Sequence, residues 1–175
     1  RQTYTLLGSP LPDGGQWDMA ISLIKKYGLV PSWVMPETVH STGTAKYLPI
    51  LNRKLREDAL ELRALVRDGK DPSARREEML AEIYNALCIL YGQPPKIFDF
   101  EYTDQKDLYH CDCGLTPHTF LEKYVGNDFD DYAVIISSPI HELNRTYCQP
   151  FMGDVVEENM FWLNLSQEEL ETLTI

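Results

Sequence analysis

The sequence predicts an α+β chain, with an N-terminal helix, a helical excursion and a strand-rich return. Three observations predict it. Apolar residues recur at helical spacing between Trp17 and Tyr27, and again over about 46–67 and 72–92, the last with Pro72 at the first helical position. The period then changes, with Phe98, Phe100 and Tyr102 alternating with polar partners. From Tyr132 onward the chain is rich in short β-type runs.

The first helix takes Asp13 as its N-cap, with Gln16 three residues on in a capping-box arrangement. Trp17, Ala20, Ile21, Ile24 and Tyr27 then share one face, and Gly28 supplies the C-terminal stop. Val30-Pro31 and Met35-Pro36 make the next stretch extended and irregular. A second helix runs from about Lys46 to Arg67, its stripe formed by Leu48, Leu51, Leu55, Leu62 and Leu65, with Pro49 in its first turn and Asp68-Gly69 at its end. A third opens after Asp71-Pro72 and stops at Gly92; Leu80, Ile83, Leu87 and Leu90 line one side, widened by Tyr84 and Tyr91. The short link between these two predicts an antiparallel hairpin.

Phe98 to Tyr102 reads as a half-buried strand, turned by Thr103 to Lys106 toward a short strand near Leu108-Tyr109. Thr116-Pro117 opens another helix, with Phe120, Leu121 and Tyr124 inward and Gly126 closing it. Strands follow at Tyr132 to Ser137, Thr146 to Met152 and Met160 to Leu165, and Ser166 with Glu169 forms a capping box for a last helix.

Composition narrows the function classes. The 175 residues suffice for one ordinary core or two small subdomains. Hydrophobic content of 43% with 25% charged residues is that of a soluble globular protein. No apolar run reaches the roughly 20 residues a membrane span needs, and no signal-peptide pattern opens the chain. A net charge of −11 repels polyphosphate, which argues against nucleic-acid binding. Four cysteines are too few for a disulfide scaffold, and Cys88 reads as a free core thiol, so a reducing cytoplasm is expected. The Asn-x-Ser/Thr matches at Asn144 and Asn164 then carry no weight. Arg1 stands where a Met would, and the last helix runs to the end, so both ends read as cut.

Several residues invite chemical readings. Asp13-Gly14-Gly15 before a helix is either a capped turn, or a stretch of bare backbone to which an extended peptide hydrogen-bonds. It has neither a GxGxxG nor a Walker lysine for phosphate. His110-Cys111-Asp112-Cys113 with His118 offers zinc-type ligands, but Cys-x-Cys is an uncommon knuckle and no second pair follows at structural spacing, so a surface loop holding two thiols is the preferred reading. No cofactor motif and no metal site is assigned. A catalytic thiolate needs a helix N-terminus and a histidine beside it. Cys88 lies deep in a helix and Cys148 in a strand before Gln149-Pro150, so no catalytic residue is assigned. His40 and His141 are lone loop histidines, Arg75 and Arg76 with Glu77 and Glu78 read as a solvated helix face, and Trp17, Trp33 and Trp162 as core or interface anchors.

The ordered blocks Asp13-Gly14-Gly15-Gln16-Trp17-Asp18-Met19, Lys26-Tyr27-Gly28, Val34-Met35-Pro36-Glu37-Thr38 and Leu51 to Glu57 resemble the bleomycin hydrolase and aminopeptidase C family of papain-like cysteine peptidases. So do Phe98 to Tyr102, Leu115-Thr116-Pro117, Asp130-Asp131-Tyr132, Leu163-Asn164-Leu165 and Glu168-Glu169-Leu170. Cys111-Asp112-Cys113 departs from the family's pattern. The resemblance implies part of a papain-like fold, with residues 1–40 in the cleft-forming core, 41–127 a helical, hook-like insertion with a short hairpin, and 128–175 a strand-rich return. It implies that Gly14 and Gly15 offer backbone groups to a peptide substrate while Gln16 and Trp17 shape the adjacent pocket. It also implies a cytoplasmic cysteine aminopeptidase assembled as a homo-hexamer, whose catalytic cysteine lies before this segment and whose histidine and asparagine lie after it. A non-enzymatic helical assembly module and a small metal-binding module are the alternative expectations.

Overall fold

The computed structural model describes residues 7–11, 14–126, 128–149 and 160–173. The chain divides into two compact units: residues 1–14 with 31–95, and residues 15–30 with 96–175.

The first unit is built on two long helices. Helix α1 will denote Trp17–Tyr27 of the second unit, so the pair here is α2, Leu48–Arg67, and α3, Ser73–Tyr91. A 3₁₀ turn at Thr44–Lys46 leads into α2, and Pro49 sits in the first turn, where its missing N–H costs nothing. Gly69 takes φ +71° after α2 and Gly92 φ +89° after α3, the left-handed stops expected of these glycines. Asp71 accepts from the Ser73 N–H and hydroxyl at the start of α3.

The antiparallel hairpin is present, and charge marks its register. Lys54 bridges Glu82 at 2.7 Å and Arg75 bridges Glu61 at 2.8 Å, so late residues of one helix face early residues of the other. Arg75, expected on a solvated face, therefore links the two helices, and also reaches Glu78 at 2.9 Å. Its hydrogen bonds to Glu61 and Glu78 hold the guanidinium above its ordinary range. Leu51 and Met79 are buried, whereas Leu80 and Tyr84, expected in the α3 stripe, are 53% and 50% exposed. Asn52 clasps Leu11 through both backbone groups, and Arg56 donates to the carbonyls of Leu7 and Gly8. The Tyr47 and Tyr91 hydroxyls meet, joining the start of α2 to the end of α3.

The second unit holds α1, a two-stranded hairpin and a three-stranded sheet. Strand β1, Phe98–Thr103, pairs antiparallel with β2, Tyr109–Leu115. Strand β2 is thus far longer than the sequence suggests, because Cys111 to Leu115 continue the alternation rather than forming a loop. Asp104 makes the turn, accepting from the amides of Lys106 and Leu108, with Asp107 in the left-handed region at φ +59°. Thr116 caps helix α4, Pro117–Phe120, which widens into a π turn, Leu121–Val125, before Gly126. Phe98, Phe100, Phe120 and Tyr124 meet edge-on or stacked between hairpin and helix, with Leu121 buried beside them.

Strands β3, Ile135–Ile136, β4, Arg145–Gln149, and β5, Met160–Asn164, form a sheet in the order β3-β5-β4, with β3 parallel and β4 antiparallel to β5. The first strand is shorter than the predicted Tyr132 to Ser137 run. The predicted extension of β4 to Met152 lies outside the described residues. Helix α5, Gln167–Leu173, starts with Ser166 and Glu169 exchanging hydrogen bonds, the capping box expected there.

Asn164 closes this sheet and is fully buried, at 0% exposure. Its Oδ1 accepts from the Ser138 N–H at 2.8 Å, while its Nδ2 donates to the carbonyls of Ser138, His141 and Glu142. One amide thereby satisfies the loop between β3 and β4, and its burial puts the sequon match at Asn164 out of reach of any glycan. Substituting Asn164→Asp removes every donor while keeping the shape. We expect a loss of about 3 kcal/mol, because the loop carbonyls become unsatisfied beside a buried carboxylate, read as a lowered urea midpoint at unchanged slope.

Candidate functional site

Helix α1 opens at Gln16, whose extended backbone (φ −101°, ψ 166°) places the N-cap there. Asp13, the expected cap, lies outside the described residues. The Met19 N–H donates to the Gln16 carbonyl at 3.1 Å, and the Gln16 N–H lies 3.5 Å from the Met19 sulfur. Met19 thus folds back over the first turn, as a flexible thioether can.

The two glycines differ. Gly14 has φ +104°, a conformation that side chains rarely adopt, and a Cβ there would meet open space. A Cβ on Gly15 would lie 3.3 Å from the Met19 sulfur. Gly14, Gly15, Gln16 and Trp17 are all exposed, so this peptide stretch presents backbone to solvent, with the Met19 sulfur beside Gly15 and the Gln16 amide. Trp17 is 49% exposed and meets Tyr132 edge-on, with ring centroids 6.3 Å apart. It is a surface aromatic, which excludes the core half of the expected core-or-interface role; Trp33, at 60% exposure, is another.

The inward face of α1 also differs from the expected one. Met19, Ile21 and Ser22 are buried, while Trp17, Ala20 and Tyr27 point outward. The helix is rotated because its ends are tied. At its N-terminus Asp18 accepts from the Phe161 N–H of β5 at 3.3 Å. At its C-terminus Gly28, φ +76°, packs so closely on α4 that an added Cβ would lie 2.4 Å from the Pro117 carbonyl carbon, and the Leu29 N–H donates to the Pro117 carbonyl at 3.1 Å.

Cys88 lies in the last turn of α3, half-buried on an apolar depression lined by Met35, Pro36, Leu87 and Tyr91. Cys111, Cys113 and Cys148 are exposed and sit in strands. No thiol of the four stands at a helix N-terminus. The ring of His40 packs edge-on against Tyr47, and that of His141 lies tilted against Tyr147. Among the described residues no group of three or more His, Cys, Asp or Glu side chains is placed to hold a metal ion. Among them, too, no helix is long and apolar enough to cross a membrane.

The inner face of β2 is a polar network that sequence reasoning missed. His110 pairs with Asp104 at 3.0 Å and stacks on Tyr102, while Asp112 accepts from Lys123 and the Tyr124 hydroxyl. The alternation of residues 109 to 113 was the available signal. The bond from His110, followed by the Leu108 and Lys106 amides, holds the Asp104 carboxyl below its ordinary range. A depressed carboxyl stabilises the fold above its unfolded pKa, and that contribution disappears as pH falls through the folded value. Amide exchange at Lys106 and Leu108 should therefore accelerate as pH drops below the usual aspartate range, beyond the intrinsic pH trend; in Asp104→Asn the excess acceleration should vanish.

Comparison with known proteins sets this geometry in context. The description of the Peptidase C1-like family matches residues 1–175. Aminopeptidase C of Listeria innocua serovar 6a is 40% identical over 172 residues, covering 97% of this chain and 39% of that protein. Aminopeptidase E of Lactobacillus helveticus is 46% identical over 158 residues, covering 89% of this chain and 36% of that one. The crystal structure of PepW from Lactobacillus rhamnosis HN001 (DR20) superposes with a TM-score of 0.91 at 44% identity, over 99% of this chain and 40% of that one. The chain therefore spans about two-fifths of the length of these relatives.

Proposed function

The chain belongs to the Peptidase C1-like family, and on that premise we propose that it is a segment of a cysteine aminopeptidase, bleomycin hydrolase-like, that removes N-terminal residues from peptides. The reaction proceeds by thiolate attack and an acyl-thioenzyme, with the catalytic cysteine, histidine and asparagine supplied from outside this chain. Residues 1–40 and 128–175 belong to the papain-like core and 41–127 to its insertion, in a cytoplasmic protein.

The observation that carries this reading is the exposed backbone at Gly14-Gly15, opening directly into helix α1. An extended substrate backbone can hydrogen-bond there in the manner of an added strand, because the two glycines carry no side chains of their own. Gln16 and Trp17 flank the peptide and shape the adjoining pocket; the aromatic edge contact to Tyr132 supports Trp17 in that position. The acidic balance of −11 suits a cationic peptide N-terminus better than a polyanion.

Two measurements test the proposal. In the whole enzyme, Gly15→Val places branched carbons against Met19 and over the backbone, and should raise KM for an aminoacyl-coumarin about tenfold, with a smaller change in kcat; an unchanged KM would remove Gly15 from the site. The 175-residue chain alone should release no coumarin, and turnover abolished by a thiol alkylator would show that the catalytic group lies within it.

Homo-oligomeric assembly through the helical hairpin, as a hexamer in the whole protein, is supported by a separate observation. Ile50, Leu60, Val66, Leu80 and Ile89 on α2 and α3 are 53–83% exposed, apolar side chains that an assembly surface would cover. Sedimentation of the chain at micromolar concentration should show association that Leu60→Lys with Ile89→Lys reverses. A monomer at every concentration counts against the hairpin as an assembly surface.

A further inference from the structure

Cys111 and Cys113 are the feature that neither the family reading nor the peptide cleft accounts for. They sit two apart on β2, so the pleat places both on its outer face, while His110 and Asp112 face inward. Both are exposed, and their sulfurs lie 3.1 Å apart. Successive same-face residues of a strand have Cα atoms about 6.6 Å apart, within the upper range a disulfide spans. The bulge between Phe98 and Phe100, with the Gly114 amide bonded to Asp99 at 2.8 Å and Gly114 at φ +72°, gives the strand local freedom to shorten.

We propose that Cys111 and Cys113 are a reversible dithiol–disulfide site, oxidised by small-molecule disulfides such as glutathione disulfide. The thiolate of one cysteine attacks a sulfur of the small disulfide, forming a mixed disulfide and expelling one small thiolate. The second cysteine, as thiolate, attacks the protein sulfur of that mixed disulfide, closes the Cys111–Cys113 bond and expels the other small thiolate. The two thiol protons pass to the two released thiols, so the protein loses two electrons and the small disulfide gains them. Because the partner sulfur is already at 3.1 Å, closure outruns escape of the mixed disulfide.

The surroundings set the pace. Tyr109 flanks Cys111 on the same face, and Asp99 and Glu101 stand on the neighbouring strand. The hydrogen bond from Cys111, with the charge of Asp99, pushes the Cys113 thiol up to about 11. That shift disfavours Cys113 as the attacking thiolate at neutral pH. The inner-face bonds of His110 and Asp112 are left in place, so closure marks the hairpin without opening it.

The experiment incubates the native protein with excess bis(2-hydroxyethyl) disulfide, a neutral probe that the acidic face does not repel, then blocks free thiols and digests with trypsin. The peptide Asp107–Lys123 contains both cysteines and no other. We expect it two hydrogen masses lighter and unblocked, restored by dithiothreitol, while Cys148 carries a mercaptoethanol adduct. In Cys111→Ser and Cys113→Ser the remaining thiol should instead carry a stable adduct. A wild-type peptide with adducts on one or both cysteines, or with both thiols still free while Cys148 has reacted, overturns the proposal.

Discussion

Helix α1 is held by backbone at both ends, and the candidate site depends on that clamp. Asp18 takes the Phe161 amide of β5, and Gly28 lies against the Pro117 peptide of α4 with no room for a side chain. A helix pinned at two points has no freedom to rotate about its axis. The clamp therefore decides which residues face inward, overriding the hydrophobic count: Ser22 is buried while Trp17 and Tyr27 stand in solvent. The exposed glycine stretch and the outward tryptophan are consequences of the same two contacts. Only glycine permits the second one, since φ +76° and the closeness of Pro117 each exclude a Cβ.

Much of this fold was legible in the sequence because local chemistry decided it. Glycine stops at 28, 92 and 126, proline at the start of α2, the Thr116 cap and the Ser166–Glu169 box each act over three or four residues, and all appear where expected. The hairpin of α2 and α3 followed from a short link. What was hidden rests on distant partners. The inward face of α1 depends on Phe161 and Pro117, more than 80 residues away in sequence. Asn164 looked like part of a strand or a sequon, yet its role is set by carbonyls 22 to 26 residues upstream. The Cys-x-Cys stretch reads as a surface loop in the sequence, where aspartate is a weak strand former, and cross-strand pairing with Glu101 and Phe100 makes it a strand. The glycine stretch itself was visible, but its exposure was not, since a capped turn and a bare backbone share one sequence.

The β1–β2 hairpin and the α2–α3 hairpin are stabilised by different means. In the β-hairpin, aromatic rings pack on α4 and a buried-side polar network holds His110 and Asp112, leaving the outer face free to carry thiols. In the helical hairpin, few apolar side chains are buried and the contacts between helices include long charged groups. Isolated surface ion pairs contribute little stability. Their value here is positional.

That positional role makes α2 and α3 a keyed pair. In the observed register Lys54 faces Glu82 and Glu61 faces Arg75. Sliding α3 by one turn in one direction sets Glu61 opposite Asp71, two like charges; sliding it the other way sets Lys54 opposite Ala86 and Glu61 opposite Met79, leaving both charges unmatched. The alignment of these helices is thus written in a code of signs, and a designer could rewrite it by exchanging acids for bases without altering one core residue.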